Sequence, residues 1–164
     1  MNTNTETIKF VPPGEGKSFW VIEDLVTFKA VGEDTNGGYS LLEITVQPES
    51  SGPPQHWHRE EVESLYILEG ELLIESGEKS LTATAGSFVL VPKGIPHTYR
   101  NLTKSHARML AIITPANAAK FFEKAGIPAT DKSTPAPLPE PEKMGELIAI
   151  ANQHNIEIHV PEMV

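Results

Sequence analysis

The chain has 164 residues, 39% of them hydrophobic and 21% charged, a length and balance that suit one globular domain with a core of its own. Its formal net charge of −9 argues against nucleic acid or an anionic membrane surface as partner, and its 13 Lys and Arg form no basic run. Cysteine is absent, which excludes disulfides, thiolate zinc sites and cysteine nucleophiles, so any metal must be held by nitrogen and oxygen.

Residues 1–17 read as an N-terminal arm that contains the turn signal Pro12-Pro13-Gly14. Met1–Phe10 is polar and lacks the apolar core of a signal peptide, and no apolar stretch approaches the ~20 residues of a membrane span, so a cytoplasmic protein is expected. From residue 18 the chain becomes short β-type runs between turns. The predicted strands are Ser18–Ile22, Leu25–Val31, Tyr39–Gln47, Gln55–His58, Glu63–Leu68, Glu71–Glu75, Lys79–Ala83, Phe88–Val91, His97–Asn101 and Ala107–Thr114. Turn residues at Gly37-Gly38, Gly70, Gly77 and Gly94 give this series the spacing of a β-sandwich or barrel.

After Thr114 the pattern changes. Thr114-Pro115 reads as an N-cap with proline at the first helical position. Ala118, Phe121, Phe122 and Ala125 then form one apolar helix face, which Gly126 stops. Residues 127–141 are rich in proline and predict an extended linker. Met144, Leu147, Ile148 and Ala151 mark a second helix over 141–153, and Ile156–Val160 can add an edge strand. Both helices are expected on the outside of the barrel, as an appendage over 115–164 too small for a second core.

Two segments carry chemistry. The first runs from Gly52 to Gly70. His56 and His58 are two apart, so on a strand both imidazoles share one face and Trp57 takes the other. Arg59–Val62 predicts a short hairpin loop, with Glu63 opening the returning strand and Glu60 and Glu61 solvated in the loop. The second runs from Gly86 to Asn101. Pro92 ends a strand, Gly94 permits the positive φ of a tight turn, and His97 opens a new strand with Tyr99 and Asn101 on its face. Three imidazoles and a carboxylate without sulfur suit one first-row divalent ion: iron, manganese, nickel, cobalt or zinc. Four protein ligands leave positions open on a six-coordinate ion, as a catalytic site requires.

These segments resemble the two motifs of the cupin superfamily, H-x-H-x4-E-x6-G and G-x5-P-x-G-x2-H-x3-N, and match both in full. One departure stands outside them: the family's leading glycine falls on Ser50, whereas this chain has Gly52. The resemblance implies an all-β cupin barrel (jelly roll) over 18–114 with a C-terminal helical appendage. It also implies metal ligation by His56, His58, Glu63 and His97, with no organic cofactor. The arrangement of the C-terminal part is similar to that of single-domain bacterial cupins resembling quercetin-dioxygenase-like proteins. It implies a small-molecule substrate and a dioxygenase acting on an aromatic enol such as a flavonol, with Glu63 as candidate base and Tyr99 as candidate pocket residue. A metal-dependent isomerase or lyase of a polar metabolite, and a non-enzymatic binding module, are the alternatives. An apolar pocket would favour the aromatic substrate, and a polar one a sugar or acid. Asn101 reads as a turn-stabilising side chain; His106, His154 and His159 read as ordinary histidines. A homodimer is expected, with strands 18–31 as the seam because Phe19, Trp20, Val21 and Phe28 carry more apolar bulk than a free edge should expose.

Overall fold

The computed structural model describes residues 7–133, 137 and 140–160. Residues 1–6 of the expected arm and 134–136, 138 and 139 of the expected linker lie outside the described residues. The first strands are β1 (Ser18–Val21), β2 (Asp24–Ala30), β3 (Ser40–Val46), β4 (His56–His58) and β5 (Val62–Glu69). They are followed by β6 (Glu71–Ser76), β7 (Lys79–Thr84), β8 (Phe88–Val91), β9 (Thr98–Arg100) and β10 (Ala107–Thr114). Beyond the barrel lie α1 (Ala118–Ala125), β11 (Ile127–Pro128), α2 (Met144–Gln153) and β12 (Ile156–Ile158).

Strict alternation builds the core. β3 buries Ser40, Leu42, Ile44 and Val46, and β10 buries Ala107, Met109, Ala111 and Ile113. A seven-stranded sheet in the order β11-β1-β2-β3-β10-β5-β8 forms one wall. A three-stranded sheet, β7-β6-β9, contributes Leu72, Ile74, Ala83 and Tyr99 to the same core. β4 stands apart from both, and a reciprocal pair of bonds between His56 and His97 ties it to the chain entering β9. The His56 N–H donates to the His97 carbonyl at 3.0 Å, and the His97 N–H donates to the His56 carbonyl at 2.9 Å.

Several expectations need correction. β4 and β5 do not form a hairpin. β4 pairs with β12, whereas β5 lies between β10 and β8, so residues 59–61 cross from one pairing partner set to another. Thr114 does not cap α1: it remains in β10 opposite Val62, and the helix begins three residues after Pro115, with Asn117 at its cap. Ile127–Pro128 belongs to β11 and pairs with β1. The expected dimer seam fails as argued, because Phe19, Trp20, Val21 and Phe28 are all buried within the chain. Exposed apolar bulk lies elsewhere: Tyr66 on β5, Phe88 and Leu90 on β8 and Ile112 on β10.

The departing glycine now has a physical reason. Gly52 has φ +70°, and a Cβ there would stand 1.7 Å from the Tyr99 carbonyl oxygen. Only a residue without a side chain lets this segment lie on the backbone at Tyr99. Ser50 takes a different part: its hydroxyl donates to Glu23 Oε2 at 2.8 Å and accepts from the Gly52 N–H at 3.1 Å.

Candidate metal centre and its apolar pocket

The four residues singled out by the motifs meet. One ligand atom from each of His56, His58, Glu63 and His97 lies within 4.8 Å of the others, although they come from β4, β5 and the turn before β9. Glu63 reaches the group because alternation on β5 puts it on the buried face with Leu65 and Ile67. Its Oε2 stands 2.9 Å from His97 Nε2 and 3.6 Å from His58 Nε2.

The orientation of the imidazoles tests whether a cation fits. His56 Nδ1–H donates to the Pro54 carbonyl and His97 Nδ1–H to the Ile95 carbonyl, both at 2.9 Å. A carbonyl only accepts, so each Nδ1 carries a proton. His58 Nδ1–H donates to Glu61 Oε2 at 2.8 Å. With all three Nδ1 positions bound outward, Nε2 is the nitrogen left to face the centre in each ring. Such outward bonds orient metal-binding histidines. The donor set therefore fits a divalent ion held by three nitrogens and a carboxylate.

The electrostatics of His56 and Glu63 agree. Burial and the neighbouring imidazoles His97 and His58 hold His56 down, to about 4, which keeps its ring neutral and available as a ligand. Burial alone would raise Glu63, but the His97 ring beside its Oε2 and the other surrounding histidines outweigh it and hold the carboxyl at about 2. Glu63 is thus an anion at neutral pH. For His58, burial pulls down, while the Glu61 hydrogen bond and the charges of Glu63 and Glu61 pull further up, so its net shift is upward.

Glu61 corrects the sequence reading. It is 1% exposed rather than solvated, and its second oxygen accepts the Asn117 N–H at 3.1 Å, at the start of α1. One buried carboxylate thus links a candidate ligand to the helix. Glu60 does stay in the loop as expected, accepting a bond from Asn155 Nδ2. No local pattern marks Glu61, because one of the two donors it meets, the Asn117 N–H, is 56 residues away.

A pocket opens beside the cluster, lined by His56, His58 and Glu63 together with Asp24 and Tyr99. Its barrel walls are apolar: Val21, Ile22, Val26, Ile44, Pro53 and Pro54. The C-terminal segment supplies the rest, with Phe121 and Phe122 from α1, Leu147 from α2, and Ile156 and Ile158 from β12. The appendage therefore does more than pack on the outside of the barrel. It walls the pocket, and β12 completes the strand that carries two of the histidines, pairing Ile156 with His58 and Ile158 with His56. No periodicity in the sequence announces that juxtaposition.

Tyr99 lines this pocket, and its hydroxyl donates to Asp24 Oδ2 at 2.6 Å. Burial and the Asp24 charge push its own ionisation well above the usual phenol range, so it stays protonated. Asn101 is a turn-stabilising residue, accepting from the Thr103 N–H and donating to the Ser105 carbonyl. His106, His154 and His159 are absent from the cluster.

A jelly-roll barrel enclosing a three-histidine, one-glutamate cluster is the architecture of a metal-dependent cupin. The family described as cupin domain matches residues 42–113, which supports the resemblance to the cupin superfamily that the two motifs carry. It is similar to quercetin 2,3-dioxygenase of Bacillus subtilis (strain 168), at 25% identity over 115 residues, 70% of this chain and 34% of that protein. It is also similar to an oxalate oxidase of Triticum aestivum, at 30% identity over 112 residues, 63% of this chain and 48% of that protein. The chain thus spans half or less of the length of these relatives. Among solved structures, polyketide cyclase RemF from Streptomyces resistomycificus shares the fold, with a TM-score of 0.59 at 20% identity over 66% of this chain and 80% of that one. Among the described residues, no helix is long and apolar enough to cross a membrane.

Proposed function

We propose that the chain is a metal-dependent dioxygenase acting on an aromatic enol such as a flavonol, with His56, His58, Glu63 and His97 as the metal ligands. The observation that carries this reading is the apolar pocket beside the cluster, walled by Phe121, Phe122, Leu147, Ile156 and Ile158. Such walls favour a planar aromatic, and a pocket of this kind excludes water from the reacting centre. The similarity to a quercetin 2,3-dioxygenase supports the same class. A polar metabolite fits less well, since among the described residues no Lys or Arg lines the pocket.

When bound, the ion supplies a Lewis acid that polarises an enol hydroxyl and its neighbouring carbonyl. The chain's residues do the rest. The histidines and Glu63 fix the position of the centre, and the aromatic and aliphatic walls orient the substrate plane. Glu63, anionic at neutral pH, takes the proton of the polarised hydroxyl. Its low pKa makes it a stronger candidate as ligand than as base for an unpolarised hydroxyl. The barrel over 18–114 and the segment over 115–164 act in this reading as one unit.

Oxygen uptake with quercetin, on protein loaded separately with iron, manganese, nickel, cobalt or zinc, tests the proposal. Uptake that needs metal and collapses in Glu63→Gln is expected. No uptake with any metal, beside clear binding of a sugar or organic acid, sinks it in favour of an isomerase or a binding module. A homodimer is also proposed, on a new ground: the exposed Phe88 and Leu90 lie on β8, the end strand of the seven-stranded sheet, and the exposed Tyr66 and Ile112 on the next two strands, β5 and β10. Light scattering that finds only a monomer at micromolar concentration refutes it.

A further inference from the structure

Asp24 is, with Tyr99, one of two polar side chains of the pocket that the metal centre does not use. It opens β2, is buried, and lines the pocket with His56, His58 and Glu63. Tyr99 holds its Oδ2 at 2.6 Å. Its Oδ1 is buried and has no hydrogen-bond partner among the described residues. A buried carboxylate oxygen without a partner is costly, so such an atom calls for an explanation. The turn that delivers Asp24 is itself strained: Ile22, two residues earlier, is β-branched and sits at φ +59°. Strain of this sort persists where the surrounding structure holds a group in place.

We infer that Asp24 is the second anchor of the substrate, with Oδ1 bonding a hydroxyl on an aromatic ligand whose other end meets the His56–His58–Glu63–His97 cluster. The inference rests on the proposed flavonol reading and narrows it to aromatics that carry a hydroxyl besides the enol–carbonyl pair. A hydroxyl is the group that suits either state of Asp24. It donates to the carboxylate and accepts from the carboxylic acid, whereas a carbonyl only accepts. Both states are accessible near neutrality, because burial, partly offset by the Tyr99 hydrogen bond and reinforced by Glu23, raises the carboxyl to about 7. The bland alternative is that Asp24 only seats Tyr99. That accounts for Oδ2 and leaves Oδ1 unexplained.

Binding of two probes separates these readings. Quercetin and 3-hydroxyflavone share the ring system and the enol–carbonyl pair, and only quercetin carries further hydroxyls. Dissociation constants are measured on the zinc-loaded full chain without oxygen, so that nothing turns over. The wild type is expected to prefer quercetin by ~10–100-fold, the range a hydrogen bond to a charged group supplies. Asp24→Leu should abolish the preference by weakening quercetin alone, while zinc content stays at the wild-type level. Tyr99→Phe should keep the preference, since it leaves Oδ1 in place. If Asp24→Leu does not fold, Asp24→Asn is isosteric, retains an acceptor for Tyr99, and should show a smaller preference than wild type. Equal binding of both probes by the wild type, an unchanged ratio in the Asp24 variants, or equal losses in Asp24→Leu and Tyr99→Phe would overturn the anchor while leaving the flavonol reading intact. If the wild type binds neither probe, the flavonol reading falls and the anchor falls with it.

Discussion

Replacing Glu61 by Gln tests how the candidate metal centre is held. Glu61 accepts two bonds at once, from His58 Nδ1–H at 2.8 Å and from the Asn117 N–H at 3.1 Å. A glutamine has one oxygen and one NH2, so only one donor can be satisfied and the other faces an N–H. A lost bond to a charged group in so buried a place is worth about 1.5–3 kcal/mol. For a chain of 164 residues, each kcal/mol moves Tm by roughly 2–4 °C, so metal-free Glu61→Gln should melt ~3–12 °C below wild type. If the amide turns its NH2 toward His58, that ring loses its fixed tautomer. Loss of such an orienting partner weakens metal affinity about 10–100-fold, or about 1.4–2.7 kcal/mol. Competition against a chromophoric chelator measures the affinity, and thermal unfolding the stability. Glu60→Gln is the control, since Glu60 is exposed in the same loop. Metal affinity in Glu61→Gln within about twofold of wild type would refute an orienting role for Glu61.

The remaining predictions concern the frame around the site. Gly52→Ala combines a φ of +70° with a Cβ 1.7 Å from the Tyr99 carbonyl oxygen, so it should cost at least about 1–3 kcal/mol in urea unfolding, and a change within ~0.5 kcal/mol would contradict the contact. Ile156→Ala empties a buried position shared by β12, Phe121 and Ala151, and a loss of about 2–5 kcal/mol is expected; an unchanged melt would mean that the C-terminal segment does not dock on the barrel. Asp24 keeps its proton to about pH 7 when folded and releases it near 3.8 when unfolded, so the native state binds more protons across that window and stability falls as pH rises through it. Asp24→Asn cannot ionise, and its stability relative to wild type should rise from pH 4 to 7; a difference that stays flat with pH would show that burial does not raise this carboxyl.

Much of the candidate site was legible because His56, His58 and Glu63 lie close in sequence on β4 and β5, while His97, in the turn before β9, was legible from the second motif. His56 and His58 share a face through the two-residue period of a strand, and the same period turns Glu63 inward on β5. The strand series and both helices were legible for the same reason, since alternation on β3 and β10 and the Phe121–Phe122 face of α1 are local patterns. Failures came where a neighbour distant in sequence decides. Thr114-Pro115 has the composition of a helix start, yet pairing with Val62 keeps Thr114 in β10. Phe19, Trp20, Val21 and Phe28 looked like bulk for a second copy to cover, but the chain's own packing buries them.

The sequence by itself determined the cupin barrel and the identity of its four candidate ligands, because motif spacing and side-chain alternation are properties of a few consecutive residues. Only the tertiary structure decided what surrounds them. Asp24 comes to the cluster through its bond to Tyr99, 75 residues away, and β12 reaches the histidines about 100 residues downstream of β4. Glu61 turns inward because His58 and the start of α1 both offer it a donor. The physical reason is common to all three: a buried polar or apolar group settles where its partners are, and those partners are set by how the sheets close, which no local period encodes.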